Sequence, residues 1–197
     1  TRNLAVAAQA VGAAMVYVST DYVFPGRPEP YWEYDRPEPL SVYARTKWYG
    51  EQIVRDLLPR HYIARTAWMY GRGPRNFVRT VLRLADERGA MQMVTDEVGS
   101  PTYALHLARA LERLVRTDAY GIYHLANAGV CSRYEWACEV LRLAGREGVE
   151  VTPATNYRRL ARVPSRVELQ NASGEAIGIA MPPWQEALAE YLARGLD

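Results

Sequence analysis

Tyr43-Ala44-Arg45-Thr46-Lys47 sets a phenol and an ammonium four positions apart. On a helix the two groups share a face and are neighbours. A free phenol ionises at about pH 10 and exchanges protons poorly near neutrality. A fixed positive charge beside a phenol favours its anionic form. Such a pair can move a proton to or from a substrate oxygen while a hydride moves to or from the adjoining carbon. The lysine carries information of its own, because the chain has 23 arginines and one lysine, Lys47. Arginine would serve a solvated pair equally well, so the retained ammonium points to a task that a guanidinium does not perform.

A second group lies in Ser19-Thr20-Asp21-Tyr22-Val23-Phe24. It follows Ala14-Met15-Val16-Tyr17-Val18-Ser19, a continuous β-prone run that predicts a strand buried on both faces. Ligands of open α/β sheets bind at the carboxyl ends of strands. A hydroxyl there can hydrogen-bond the carbonyl that a phenol protonates, sharing the developing charge. Taken alone, Thr20 and Asp21 read equally well as caps of a turn. Beside Tyr43 and Lys47, the chemical reading is the stronger one.

The elements that must position these residues alternate. After the strand over 14–19 comes a stretch broken by Pro25, Pro28, Pro30, Pro37 and Pro39. A helix is predicted over 41–58, with Ser41 as N-cap, Pro59 as stop, and Val42, Ile53, Val54, Leu57 and Leu58 facing inward. Strands follow over 61–68, 91–95, 121–126 and 149–152, and helices over 77–88, 104–116, 132–144 and 184–193. Gly89 ends the first of these later helices. Repeated β–α alternation predicts an α/β fold with a mostly parallel sheet. The expected core contains Val16, Val18, Ile53, Leu57, Ile63, Leu82, Leu107, Leu111, Leu125, Val140 and Leu141.

Composition excludes other classes. With 197 residues, 49% hydrophobic and 23% charged, the chain has the balance of a globular protein. A net charge of +2 gives no reason to expect a nucleic-acid or anionic-membrane partner. No apolar run approaches the ~20 residues of a membrane span. Cys131 and Cys138 fall seven apart in the helix predicted over 132–144 and its start, about 10 Å along the axis, too far for a disulfide. A reducing, cytoplasmic setting follows as the expectation. Glycine-rich dinucleotide turns, Walker loops, His-Glu-x-x-His and Cys-x-x-Cys are missing from the sequence, so a metal site or P-loop has no support.

Thr20, Tyr43 and Lys47 resemble the catalytic triad of the short-chain dehydrogenase/reductase superfamily, in its extended, sugar-nucleotide branch. Within that branch the chain resembles the dTDP-4-dehydrorhamnose reductase family from about residue 3 to 192. The resemblance is carried by Ser19 to Phe24, Pro30-Tyr31 with Glu33, Tyr43 through Gly50-Glu51, and Arg65-Thr66-Ala67-Trp68-Met69-Tyr70-Gly71. It continues through Asn76-Phe77-Val78, Gly99-Ser100-Pro101-Thr102-Tyr103, Gly121-Ile122-Tyr123-His124-Leu125-Ala126 and Pro183-Trp184-Gln185-Glu186-Ala187-Leu188. The implied fold is the later half of a Rossmann-like parallel sheet with a smaller C-terminal α/β substrate domain. Residues 1–70 would be the C-terminal half of the dinucleotide-binding domain and 71–197 mainly the substrate domain, with 90–126 returning in part to the first.

The implied activity is NAD(P)H-dependent reduction of the 4-keto group of dTDP-4-dehydro-L-rhamnose to dTDP-L-rhamnose. Tyr43 would protonate the keto oxygen, while Lys47 would hold the nicotinamide ribose of NADPH or NADH. Tyr43 and Lys47 are thus both catalytic and cofactor-binding candidates. Thr20 joins them in catalysis, and Thr20, Asp21, Trp68 and Asn76 are the candidate contacts to the dTDP-sugar substrate. A core aromatic at a strand end is the other reading of Trp68. No metal is implied, and a homodimer is the expected association. A nucleotide-sugar epimerase or dehydratase is the alternative within the superfamily, although those relatives usually carry Ser-Ser-x-x-Val-Tyr-Gly where this chain has Ser-Thr-Asp-Tyr-Val-Phe. A non-catalytic, cofactor-binding regulatory subunit is the alternative from another class.

The chain departs from the family pattern at several positions. Glu97 stands where the family has glutamine, Arg133 where it has tryptophan, and Val163-Pro164 where it has an Arg-Pro pair. The family's opening strand, glycine-rich turn and helix have no counterpart in these residues, and the sequence, starting at Thr1 in a helix-like run, reads as part of a longer polypeptide. An exposed sheet edge and self-association are expected of such a piece. Without that turn, pyrophosphate lacks close backbone N–H groups and a helix N-terminus. The 197-residue chain is therefore expected to bind NADPH weakly or not at all in calorimetric titration. A low-micromolar dissociation constant would overturn this.

Overall fold

The computed structural model describes residues 1–157 and 159–195. The last two residues of the expected unit 71–197 lie outside the described residues. The chain begins with α1 (Arg2–Ala10), β1 (Met15–Thr20), a short 3-10 turn at Asp21–Val23, α2 (Val42–Leu57) and β2 (His61–Thr66). It continues through β3 (Met69–Tyr70), α3 (Phe77–Arg88), β4 (Ala90–Val94), β5 (Val98–Gly99), β6 (Thr102–Tyr103) and α4 (Ala104–Leu114). Next come β7 (Gly121–His124), β8 (Cys131–Ser132), α5 (Arg133–Leu143), β9 (Glu150–Ala154), α6 (Ala172–Ala176) and α7 (Trp184–Ala193).

The starts and stops are local chemistry. Ser41 accepts the Ala44 N–H at 3.2 Å and opens α2. Ser132 and Glu135 form a reciprocal capping box at α5. Gly89 closes α3 at φ 65°, a left-handed turn that costs glycine little.

The main sheet has the order β1-β2-β7, all parallel. Its register sets Ser19 beside Arg65, Thr20 beside Thr66, and Arg65 beside His124. Alternation along β2 divides the core between two faces. Ile63 packs with Ala5, Val54 and Leu58 of the α1/α2 layer. Tyr62 and Ala64 pack with Leu107, Ala110 and Leu114 of α4 and with Leu125, Ile179 and Met181. A separate core holds α3, α5 and α7 together through Tyr70, Val81, Trp136, Val140, Leu188 and Tyr191. The two-stranded pairs β3–β6 and β4–β9 are parallel, and β5–β8 is antiparallel.

Several expectations change. The first strand is not buried on both faces: Val16 is half-buried and Val18 is 37% exposed. The reason is position, since β1 is an edge with β2 as its one sheet neighbour among the described residues. Ile53, Leu57 and Leu111 are also half-buried, whereas Ile63, Leu82, Leu107, Leu125, Val140 and Leu141 are core. Val42 sits exposed at the first turn of α2, before that helix meets the sheet. Cys131 lies on β8 rather than in a helix, and both cysteines are free thiols. Among the described residues, no helix is long and apolar enough to cross a membrane.

A buried polar network crosses this sheet. Arg65, 2% exposed, donates to Glu51 of α2 from Nη2 at 2.8 Å and from Nε at 3.1 Å. Ser19 of β1 donates to the same carboxylate at 2.5 Å, and Arg65 reaches the Glu33 carbonyl at 3.2 Å. Glu33 in turn accepts the backbone N–H groups of His124 and Ser173, at 3.3 and 2.9 Å. Burial, and then the Arg65 charge, lower the His124 imidazole to about 3, so it is neutral beside the guanidinium. Glu51→Ala would leave the Arg65 charge buried and unpaired, and is expected to cost about 3–5 kcal/mol in urea unfolding. The double substitution Glu51→Leu/Arg65→Met should recover most of that loss. Equal stability of Glu51→Ala and the parent would show that water compensates the guanidinium.

Candidate active site

The carboxyl ends of β1 and β2 open into a cleft of about 360 Å³. Its lining includes Thr20 and Asp21 after β1, Tyr43 and Lys47 on α2, and Thr66 and Trp68 after β2. Five of the six residues expected from the sequence are therefore brought together. Asn76 is not among the lining residues. It caps α3 by accepting the Arg79 N–H at 3.0 Å, and its amide donates to the Gly71 carbonyl at 2.8 Å.

Tyr43 is 55% exposed and touches Tyr22 edge to face at 6.2 Å. Lys47 points back to β1, where its ammonium donates to the Val18 carbonyl at 2.5 Å and lies 4.3 Å from the Tyr17 ring centre. Tyr17 completes the clasp, its hydroxyl donating to the Lys47 carbonyl at 3.2 Å. Such a close approach needs Gly50, because a Cβ there would stand 2.1 Å from the Tyr17 hydroxyl. An ammonium has three donors, and the edge-strand carbonyl takes one.

The Thr20 hydroxyl donates to the Asp21 carboxylate at 3.0 Å and accepts the Tyr22 N–H at 3.2 Å. The turn is thus capped as one reading had it, and it also lines the cleft. Asp21 is buried, and desolvation pushes its carboxyl up to about 7 against the opposing Thr20 hydrogen bond and the Arg133 charge. Thr66 adds a buried hydroxyl without a hydrogen-bond partner among the described residues. Trp68 has φ 37°, an uncommon backbone state for a bulky residue. Its indole stacks on Trp136 at 5.7 Å and under the Arg133 guanidinium at 3.5 Å.

The sequence reading missed the support of this cleft. Ser19 lines it, and Glu51, Arg65 and His124 are buried behind it; all four fall in stretches that carried the family resemblance, but only Arg65, a charge inside an otherwise buried strand, hinted at a supporting role. Arg133 and Glu97 were visible as departures, and they prove to be neighbours, with Nε and Oε2 3.7 Å apart.

A parallel sheet with a phenol, an ammonium and a hydroxyl at its carboxyl end defines a Rossmann-like protein of the short-chain dehydrogenase/reductase class. The family model described as the RmlD substrate binding domain matches residues 1–196, and the chain belongs to that family. It is 39% identical over 184 residues to the spore coat polysaccharide biosynthesis protein SpsK of Bacillus subtilis, covering 92% of this chain and 65% of that protein. It is 34% identical over 203 residues to dTDP-4-dehydrorhamnose reductase of Escherichia coli, covering 96% and 68%. The crystal structure of dTDP-4-dehydrorhamnose reductase from Bacillus anthracis in complex with NADP superposes with a TM-score of 0.93 at 40% identity, over 98% of this chain and 70% of that one. The chain thus spans about two thirds of the length of the curated relatives it matches. A dTDP-glucose 4,6-dehydratase from Streptomyces venezuelae, at 20% identity and a TM-score of 0.80, shares the fold.

The Asp21 carboxyl makes a stability prediction. In the folded chain it keeps its proton up to about pH 7, whereas unfolded it releases it at about 3.9. Between those values the folded state binds more protons, so this group's contribution to stability falls as pH rises. Asp21→Asn should match the parent in urea unfolding near pH 4 and exceed it increasingly toward pH 8, by about 4 kcal/mol at most. A difference independent of pH would mean that Asp21 does not titrate in this window.

Proposed function

We propose that this chain carries the proton-transfer and sugar-binding residues of an NAD(P)H-dependent reductase in a cytoplasmic nucleotide-sugar pathway. Its substrate would be dTDP-4-dehydro-L-rhamnose and its product dTDP-L-rhamnose. The observation that carries the reading is the convergence of Thr20, Tyr43 and Lys47 on one cleft at the carboxyl end of the sheet. Similarity to proteins named as reductases of this substrate supports it. In this reading residues 1–70, joined by β7 from within 90–126, are the cofactor side, and the rest of 71–197 is the substrate side.

The donor set fits a nicotinamide nucleotide. The ammonium of Lys47 can meet a ribose hydroxyl pair, and the Thr66 hydroxyl still has hydrogen-bonding capacity. When bound, that cofactor supplies a hydride to the C4 carbonyl carbon, and the carbonyl π pair moves onto the keto oxygen. The Tyr43 hydroxyl then gives that oxygen its proton, completing the alcohol. Because Tyr43 is open to water, it can be reprotonated from solvent between turnovers. On substrate binding the single Thr20 hydroxyl proton turns from Asp21 to the same oxygen as charge develops. Asp21 and Trp68 hold the sugar ring against this group. Asn76 acts at longer range, by fixing the start of α3.

The test is loss of NADPH absorbance with a dTDP-4-keto-6-deoxy sugar, using the protein as its reading frame encodes it. Cofactor binding without turnover of any 4-keto sugar nucleotide would overturn the reading in favour of a regulatory subunit. Lys47→Arg in that protein should lower kcat by about one to three decades while keeping the charge. A guanidinium is longer, and its fixed fork cannot satisfy Val18 and a ribose from the same position. Wild-type kcat in this variant would reduce Lys47 to a surface charge.

A further inference from the structure

The strained wall of the cleft, Trp68, must be held in place by its surroundings. Three contacts do so. Gly99 runs so close that a Cβ there would stand 2.6 Å from the indole. Trp136 stacks at 5.7 Å, and the Arg133 guanidinium lies 3.5 Å from the indole centre. Gly99 and Trp136 contribute shape. Arg133 alone brings a charge.

We propose that Arg133 is a positioning residue of this cleft, its planar face clamping the Trp68 wall against which the sugar nucleotide binds. The inference rests on the reductase reading above. Arg133 is itself fixed from behind. Its backbone N–H donates to the Glu97 carbonyl at 3.3 Å, and its Nε lies 3.7 Å from the Glu97 carboxylate. That carboxylate is gripped by Arg159 at 2.5 and 2.7 Å. One carboxylate thus serves two guanidinium groups, so the three side chains together keep a net positive charge. Guanidinium is suited to this clamp because it stacks on aromatic faces without losing its charge.

The groups around Asp21 come from three elements. Thr20 and Tyr22 flank it in its own turn, Tyr43 and Lys47 line the same cleft from α2, and the Arg133 charge acts on it from α5, with Glu97 and Arg159 beside Arg133. Arg133 favours the ionised carboxyl, against the burial that opposes it. Removing it should therefore move Asp21 titration to higher pH and loosen the wall, weakening binding more than chemistry.

The test compares Arg133→Met, which loses plane and charge, with Arg133→Lys, which keeps the charge. Both are made in the protein as its reading frame encodes it. The readouts are KM and kcat for a dTDP-4-keto sugar, the Asp21 carboxyl titration followed by carbon-13 NMR, and near-ultraviolet circular dichroism referenced to Trp68→Phe. Arg133→Met should raise KM about tenfold with kcat nearly unchanged, move the Asp21 midpoint upward, and lose the Trp68 signal. Arg133→Lys should restore the midpoint but not the indole signal. Unchanged KM, midpoint and dichroism in Arg133→Met would overturn the proposal, as would a loss of kcat alone. Should Arg133→Met not fold, Arg133→Lys decides through its split between a parental Asp21 midpoint and an altered indole signal; the same indole signal as the parent would overturn the clamp. A parent protein with no turnover would sink the reductase reading, while the titration and the indole signal would still judge Arg133.

Discussion

The ion pair between Glu51 and Arg65 is the constraint on which the site depends. Two charges taken out of water cost several kcal/mol each unless their remaining hydrogen-bonding capacity is met. Here it is met from several directions, by Ser19 of β1, the Glu33 carbonyl and the neutral His124 of β7. Satisfying one buried carboxylate therefore fixes α2 against the sheet. Lys47 lies one turn before Glu51 on the same helix face, and Tyr43 one turn before Lys47. Once Glu51 is seated, the phenol and the ammonium have little freedom in where they arrive.

This arrangement separates support from reaction. The groups behind the sheet are buried and mutually satisfied, whereas Tyr43 is half exposed and Lys47 retains donors beyond Val18. Asp21 lies between the two regimes. It is buried, and desolvation raises its carboxyl to about 7 against the Thr20 hydrogen bond and the Arg133 charge. His124 shows the opposite displacement, to about 3, because burial disfavours its charged form too. The consequences for stability run in opposite directions. Below an unfolded histidine's pKa of about 6.5, the unfolded chain takes up a proton that buried His124 refuses, so acid weakens the fold there. Asp21 gives stability back as pH falls through about 7. The structural histidine favours alkaline conditions, and the cleft carboxyl favours acidic ones.

Much of this was legible in the sequence where a residue type had a local reason to be there. Ser41 and Gly89 bounded their helices as their chemistry dictates. The spacing of Tyr43 and Lys47, with Thr20 after a strand, marked three residues that share the cleft. Burial was less legible. Val16 and Val18 look like core residues in any local window, but their exposure depends on whether another strand lies beside β1. The supporting network was hidden for the same reason. Glu51 sits in an amphipathic helix among other charged residues, and only the parallel pairing of Ser19 with Arg65 and of Arg65 with His124 shows what it faces. Asn76 illustrates the converse, since a motif match marked it as a sugar contact and its side chain is engaged in capping α3.

The lone lysine gains a second explanation from the structure, and the two belong together. Its ammonium rests over the Tyr17 ring and donates to Val18 on the edge strand. A purely structural clasp could be made by arginine, which stacks on aromatic rings and donates to carbonyls. What arginine cannot do is bond Val18 with a compact head and still present donors within the cleft, because its fork spreads the charge along a longer, rigid plane. The clasp fixes the ammonium beside the strand end, in the cleft that Thr20, Thr66 and Tyr43 also line. Holding the lysine to β1 is thus how the fold aims it. The same carbonyl bond would be worth little to stability at this partly exposed position, so the clasp matters more for where the ammonium sits than for the strength of the bond.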